Sequence, residues 1–357
     1  MRTNRDRSTA GSGPRGGRAT LYRVGMIALQ QLAAALSLSG LAPSYDVTPE
    51  RVSRLAADGF VQLPRVFSPA EIAAIRDDVV ACAEELQCQC SACSRDAAAD
   101  PLDARCRGCE RHAETPAGLS KSFQKLSNLH RSCPAVRRVV MSKRLAAIAR
   151  QLVGVDTIRL YQDRAFFKES GDVESSWHAD GQASPLESDG DKQLVTIWIS
   201  LDDIRAEHGP LAFSRGSHRL ACPGSVRTEG LAARLTSMRR RSDAEIAAGE
   251  CSIVEPGAMQ AGDATAHMGW TLHRARANRG GSPRRALAVS FFPDGTRFPR
   301  DVMAFNSELG IKSGLADGGR FSVQLLSDDL NTWAPIMDAR EMIPGALVSS
   351  SFTPLLN

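Results

Sequence analysis

His178-Ala179-Asp180 sets an imidazole and a carboxylate two residues apart, the separation at which side chains of an extended segment point the same way. Two imidazoles and one carboxylate on one octahedral face hold a mononuclear iron(II) and leave three positions open for cosubstrate and O2. The tripeptide alone is weak evidence, because seven histidines and 40 acidic residues in 357 positions make roughly one match expected by chance. The chain has two, His112-Ala113-Glu114 and His178-Ala179-Asp180. His178 follows a cationic, strand-like segment and precedes another strand-like run, whereas His112 lies in a Cys-rich, turn-rich stretch with no strand signature. A third ligand has to come from a distant strand. Gly262-Asp263 leads into a run carrying both His267 and His273, which an unbroken strand would place on one face. We favour His273, because Arg284 follows across a turn made by Asn278, Gly280, Gly281 and Pro283. An Arg on the adjacent strand can hold a carboxylate through two parallel N–H groups. His267 is left with a role in stability or substrate fit.

A second constellation is made of thiols. Cys88, Cys90, Cys93, Cys106 and Cys109 fall close together, with Cys82 and His112 nearby. The pairs Cys90-x2-Cys93 and Cys106-x2-Cys109 have the spacing of a tetrahedral structural zinc(II) site. The other reading is reduced surface thiols in an insertion at about residues 82–118. Either way the segment is expected to brace a lid and need not touch the iron. Nine cysteines in a chain of this size, bunched as they are, fit reduced thiols in a cytoplasm better than the disulfide framework of a small secreted domain.

The elements that must position these groups come in two blocks. Thr48-Pro49-Glu50 and the sharper Ser68-Pro69-Ala70-Glu71, a capping box with Pro at the first helical position, start two helices. Ala135 to Val153 reads as a third. From Thr157 onward, short runs of period-2 character alternate with Gly, Pro, Asp and Ser clusters, which predicts many strands joined by turns rather than βαβ units. One strand sets Gln162, Arg164, Phe166 and Lys168 on a single face. A second, Leu194 to Leu201, does the same for Thr196, Trp198 and Ser200. Ala264 to Leu272 and Arg285 to Phe292 complete the set, and the series suggests a sandwich or jelly roll able to hold a ligand inside.

Composition narrows the partners. The net charge is +4, but residues 1–25 contain six Arg against Asp6, so the body of the chain is close to neutral. Basicity confined to a Gly-rich tail gives no basic folded face for nucleic acid. Residues 1–45 are expected to be a disordered basic tail and apolar leader, followed by a single domain over 46–357. Met26 to Leu41 resembles a signal or anchor segment, yet Gln30 and Gln31 interrupt it and it is shorter than the ~18 to 20 apolar residues a span requires. An amphipathic leader, or a true start at Met26, is the plainer reading, and no membrane partner is expected.

The residues from Trp177-His178-Ala179-Asp180 through Gly209-Pro210-Leu211 and Gly216-Ser217-His218, then Gly262-Asp263 through His273, Asn278 and Arg284-Arg285-Ala286-Leu287, resemble the phytanoyl-CoA dioxygenase family. The likeness runs from about Val52 to Phe292. It implies a mainly β fold with flanking helices around a double-stranded β-helix core, iron(II) on His178, Asp180 and His273, and 2-oxoglutarate anchored by Arg284. It also implies that Gln162, Arg164 and Lys168, with Trp198 on the neighbouring strand, face cosubstrate or substrate, as in the similar ectoine hydroxylases. Asp180 argues against halogenation, since related halogenases carry Gly or Ala there. Two departures stand out. Ala275 occupies a position where many relatives have Ser, and Gly209 follows His208 where Asn is usual. The resemblance thus implies an oxygenase that takes 2-oxoglutarate, O2 and a small organic substrate. The Arg and Ala richness suits a high-GC bacterium, where such enzymes often serve secondary metabolism. The competing readings are a non-catalytic jelly-roll binding protein and a zinc-stabilised nucleic-acid module using the Arg-rich tail.

Overall fold

The computed structural model describes residues 45–93, 124–184, 186, 194–219, 241–249, 252–297 and 355–356. The Arg-rich tail, the apolar leader, His112, Cys106 and Cys109 lie outside these residues, as do the side chains of Cys88, Cys90 and Cys93, so the zinc expectation does too. No helix among the described residues is long and apolar enough to cross a membrane.

Local chemistry accounts for where the elements begin and end. Helix α1 (Pro49–Asp58) has Pro in its first turn and stops at Gly59, whose φ of +85° is left-handed and whose N–H returns to the Leu55 carbonyl. A Cβ at Gly59 would come within 2.5 Å of the His218 ring, so the turn into β1 (Phe60–Leu63) requires Gly on two counts. Helix α2 (Pro69–Cys93) opens on the expected capping box. The Ser68 N–H donates to the Glu71 carboxylate at 2.7 Å, and the Glu71 N–H donates to Ser68 Oγ at 3.3 Å. After β2 (Gln124–Ser127) and a 3-10 turn (Leu129–Arg131), the single helix expected over 135–153 is in fact two, α3 (Pro134–Val140) and α4 (Lys143–Val153). The break has a visible cause: Ser142 is extended and its hydroxyl accepts the Leu145 N–H, starting a new helix instead of continuing the old one.

The strands are β3 (Ile158–Lys168), β4 (Val195–Ser200), β5 (Leu211–Ser214), β6 (Ile253–Val254), β7 (Ala264–Met268), β8 (His273–Ala275), β9 (Arg284–Pro293) and β10 (Leu355–Leu356). A short helix, α5 (Asp243–Ala248), precedes β6. Among the described residues they form two antiparallel sheets. The larger runs β1-β7-β4-β9-β3-β10, with β2 also on β3, and the smaller runs β6-β5-β8. The strand expected over 264–272 ends at Met268, turns at Gly269-Trp270, and resumes at His273 in the other sheet, because a Cβ on Gly269 would meet Leu194 at 2.9 Å and the Thr271 N–H folds back to the Met268 carbonyl. Phe60 of the larger sheet stacks on Phe213 of the smaller at 4.4 Å between ring centroids. Trp198, Leu211, Ala275, Ala286 and Ala288 fill the space around them. A jelly-roll core of this kind can enclose a ligand cavity between its sheets.

One thiol finding departs from the sequence expectation. Cys82, on the buried face of α2, is joined to Cys133, the N-cap of α3, with Cα atoms 6.2 Å apart, where reduced thiols were expected. The helix register turns Cys82 inward onto the turn that launches α3, and this brings the pair together.

Candidate active site

The site sits between the sheets and draws on both. His178 lies at an isolated bridge to His273 of β8: the His178 N–H donates to the His273 carbonyl at 3.0 Å and the His273 N–H returns to His178 at 2.8 Å. The two imidazoles are therefore registered by backbone bonds rather than by side-chain packing alone, and their centroids are 4.3 Å apart. Asp180 opens the following 3-10 turn, where the Gly181 N–H is taken by the Gly269 carbonyl at 2.6 Å. Among the described residues His178, Asp180 and His273 form a group whose ligand atoms all lie within 4.8 Å of one another.

Hydrogen bonds set which ring atoms face inward. His178 Nδ1 lies 2.9 Å from the Ser176 carbonyl and His273 Nδ1 lies 3.0 Å from the Thr271 carbonyl. A carbonyl can only accept, so each Nδ1 carries a proton, which leaves Nε2 as the lone pair through which the neutral ring would bind a metal. Burial, helped by the neighbouring imidazoles, holds His273 well below its ordinary range, so it is neutral near pH 7. For Asp180 burial alone pushes upward. A hydrogen bond from His267 and the surrounding imidazoles outweigh it, and the carboxyl titrates well below the usual range. The donor set is thus two imidazoles and a carboxylate, with chemistry that fits iron(II).

His267 stands apart from that group although it is close. Its Nε2 is 3.2 Å from Asp180 Oδ2, and its ring centroid is 4.3 Å from that of His273. Because β7 ends at Met268, the two histidines reach the cavity from different sheets, which sequence periodicity cannot show.

Arg284 begins β9 and is 1% exposed. Its Nη1 donates to the Gly209 carbonyl at 2.7 Å, its guanidinium lies 5.3 Å from the Trp198 ring centroid, and its Nε has no hydrogen-bond partner among the described residues. Burial lowers it to about 10, so it keeps its charge at neutral pH. A buried cation with an unpaired N–H calls for an anionic ligand. Gly209 is required where it stands: its φ is +73°, and a Cβ there would fall 2.3 Å from the Arg276 carbonyl oxygen. Arg285 turns the other way and pairs with Asp202 at 2.9 Å.

The cavity wall includes Gln162, Arg164, Phe166, Trp198 and Arg284 together with His178, Asp180 and His273. Lys168 is not part of that wall. It is 1% exposed, and its ammonium donates to the carbonyls of Val173 and Arg276 at 2.7 Å each. Burial, then the nearby Arg284, lowers it to about 7. Its place beside Arg284 in the β3–β9 register makes it a brace for the loop after β3. The sequence also missed Ser175, which lines the cavity. Its Oγ accepts the Ala275 N–H at 2.8 Å, so the hydroxyl hydrogen remains to be given. No sequence signal marked it.

Fold and site together define a jelly-roll protein with a candidate metal site of two imidazoles and a carboxylate beside a buried arginine. The chain belongs to the phytanoyl-CoA dioxygenase (PhyH) family, whose model matches residues 55–286. It is 28% identical over 185 residues to an ectoine dioxygenase of Bordetella parapertussis, covering 50% of this chain and 53% of that protein. An ectoine dioxygenase of Stutzerimonas stutzeri is 27% identical over 185 residues, 50% of this chain and 54% of its own. The chain thus spans about half the length of the curated relatives it matches. Among solved structures, the non-heme alpha-ketoglutarate-dependent carbocyclase SnoK from nogalamycin biosynthesis superposes with a TM-score of 0.57 at 21% identity, covering 87% of this chain and 97% of that one. EctD from S. alaskensis, with 2-oxoglutarate and 5-hydroxyectoine, superposes with a TM-score of 0.51 at 22% identity, covering 72% and 82%. At these identities the structural likeness establishes the fold.

Proposed function

We propose that this chain is an Fe(II)- and 2-oxoglutarate-dependent dioxygenase that hydroxylates, or otherwise oxidises, an unactivated C–H bond of a small organic substrate, releasing succinate and CO2. One observation carries the reading: two ring nitrogens with inward lone pairs converge with Asp180 in the cavity that also holds the fully buried Arg284, whose Nε lacks a partner. His178, Asp180 and His273 would hold the iron, and Arg284 would hold the far carboxylate of 2-oxoglutarate. When bound, iron with 2-oxoglutarate and O2 supplies the C–H oxidation that no side chain can perform.

The protein's own residues position and insulate. Gly209 and Trp198 fix the guanidinium of Arg284 before any ligand arrives, so little is spent on ordering it. The Ser175 hydroxyl offers a donor close to where Ala275 replaces the serine of many relatives. Phe166, Trp198, Leu211 and Ala288 give the cavity an apolar wall that excludes water, while Gln162 and Arg164 supply polar contacts for a substrate. The test is anaerobic reconstitution with Fe(II), then succinate release in air with 2-oxoglutarate and candidate substrates, ectoine first because the relatives' names suggest it. Succinate formation dependent on both Fe(II) and 2-oxoglutarate is expected. Failure to bind either one would overturn the reading.

A further inference from the structure

His267 is buried, lines the cavity, and lies outside the metal-ligand group. It belongs to a row of directly paired residues that crosses the larger sheet: Gln162 opposes Ser290, Ser290 opposes Thr196, and Thr196 opposes His267. Residues paired this way share one face, here the face turned to the cavity. Their hydrogen bonds run in one direction. Thr196 Oγ1 donates to Asp180 Oδ2 at 2.7 Å, so its single hydrogen is committed, and at the 2.9 Å contact with Ser290 Oγ it must accept. Asp180 Oδ2 also meets His267 Nε2 at 3.2 Å. A carboxylate only accepts, so Nε2 carries the proton, and His267 has no inward lone pair there. The other carboxylate oxygen, Oδ1, faces His273 Nε2 at 3.9 Å.

We propose that His267 is a positioning residue: with Thr196 it occupies Oδ2 of Asp180, so the carboxylate can offer a metal only Oδ1 and the position that a chelating carboxylate would take stays open. Both donors come from adjacent, directly paired strands of the larger sheet, and Thr196 is tied in turn to Ser290 by the 2.9 Å hydrogen bond. Read from the chain alone, His267 has only a general role in stability or substrate fit, because the pairing that aims it is a property of the sheet. The inference rests on the metal-binding reading above, so its test has to separate the two.

The measurement is Co(II) binding to the full chain, followed by electronic absorption, which reports coordination number, and by calorimetry, with the melting temperature of the metal-free protein taken alongside. His267→Phe keeps a ring between Phe213 and His273 and removes the donor, while His267→Gln restores an amide N–H at similar reach. Thr196→Val removes the partner donor without touching the ring stack. Wild type should bind one Co(II). His267→Phe should bind about ten- to a hundredfold more weakly with an altered spectrum, His267→Gln should recover much of both, and Thr196→Val should shift the spectrum in the same sense as His267→Phe. Unchanged affinity and spectrum in His267→Phe and Thr196→Val would overturn this inference while leaving the metal centre standing. A wild-type chain that binds no Co(II) would overturn the metal centre itself. Should His267→Phe not fold, Thr196→Val alone decides, since an unchanged spectrum there refutes the shared hold on Oδ2.

Discussion

Arg284 and Arg285 are neighbours in sequence with opposite fates, and they make the sharpest single-residue test. Arg284 faces the cavity with an unpaired Nε, while Arg285 sits on the outer face against Asp202. A bidentate, charge-assisted pair in a dry pocket contributes on the order of 1.5 to 3 kcal/mol. Arg284→Ala should therefore weaken 2-oxoglutarate by roughly ten- to a hundredfold. Arg284→Lys keeps the charge but not the fork and should recover only part of that. Arg285→Ala should leave cosubstrate affinity nearly unchanged; an equal loss in both alanine variants would contradict the assigned facing. This much was legible in the chain, because period-2 alternation alone separates the two residues. Lys168 shows the limit of that rule. It starts on the same face as Arg164, yet at the end of β3 its long side chain turns to two backbone carbonyls that come from loops. Alternation specifies a direction, not a destination.

Between elements, α1 and α4 pack against the larger sheet, and one part-buried pair ties the start of α4 to the start of α2. Arg144 of α4 donates to both carboxylate oxygens of Glu71 at 2.9 and 3.1 Å, and to the Val66 carbonyl at 2.9 Å. Removing one partner of a pair this enclosed leaves a stranded charge, so Arg144→Met should cost about 3 kcal/mol in denaturant unfolding. Burial raises the Glu71 pKa, but its hydrogen bonds to Arg144 and Ser68 outweigh that and bring it below its ordinary 4.5. A group whose folded pKa lies below its unfolded value stabilises above the unfolded pKa, and that share is lost as pH falls through the folded one. Wild type should thus lose stability below pH 4.5 more steeply than Arg144→Met, and parallel acid curves would contradict the pairing. Gly209→Ala should cost roughly 1 to 3 kcal/mol from the left-handed backbone alone. It should also raise the KM for 2-oxoglutarate, because the Gly209 carbonyl holds Arg284. The capping box at Ser68 was readable because a cap is a local pattern. The breaks at Ser142 and at Gly269-Trp270 were not, since each depends on what the chain meets in space.

For the whole molecule, the change from helical to strand patterning near residue 157 located most of the jelly roll, but β1 and β2 of the larger sheet come from the block before it, where four-residue strands between helices leave no readable alternation. The pairing of strands was beyond a sequence reading: Phe60 lies opposite His267, and nothing in either segment names the other. Ligands that bind only the folded chain stabilise it by mass action, about 2.7 kcal/mol at one hundred times the dissociation constant. Metal and 2-oxoglutarate should therefore each raise the melting temperature of wild type. In Arg284→Ala the metal increment should persist, while that of 2-oxoglutarate should shrink to roughly 0.4 to 1.4 kcal/mol at the same ligand concentration. The most direct test of the account is metal stoichiometry measured together with 2-oxoglutarate-dependent succinate release, in wild type, His178→Ala, Asp180→Ala and His273→Ala. The account predicts one Fe(II) per chain in wild type, and loss of both metal and succinate in all three variants. Succinate release at the normal rate from any of the three would contradict it.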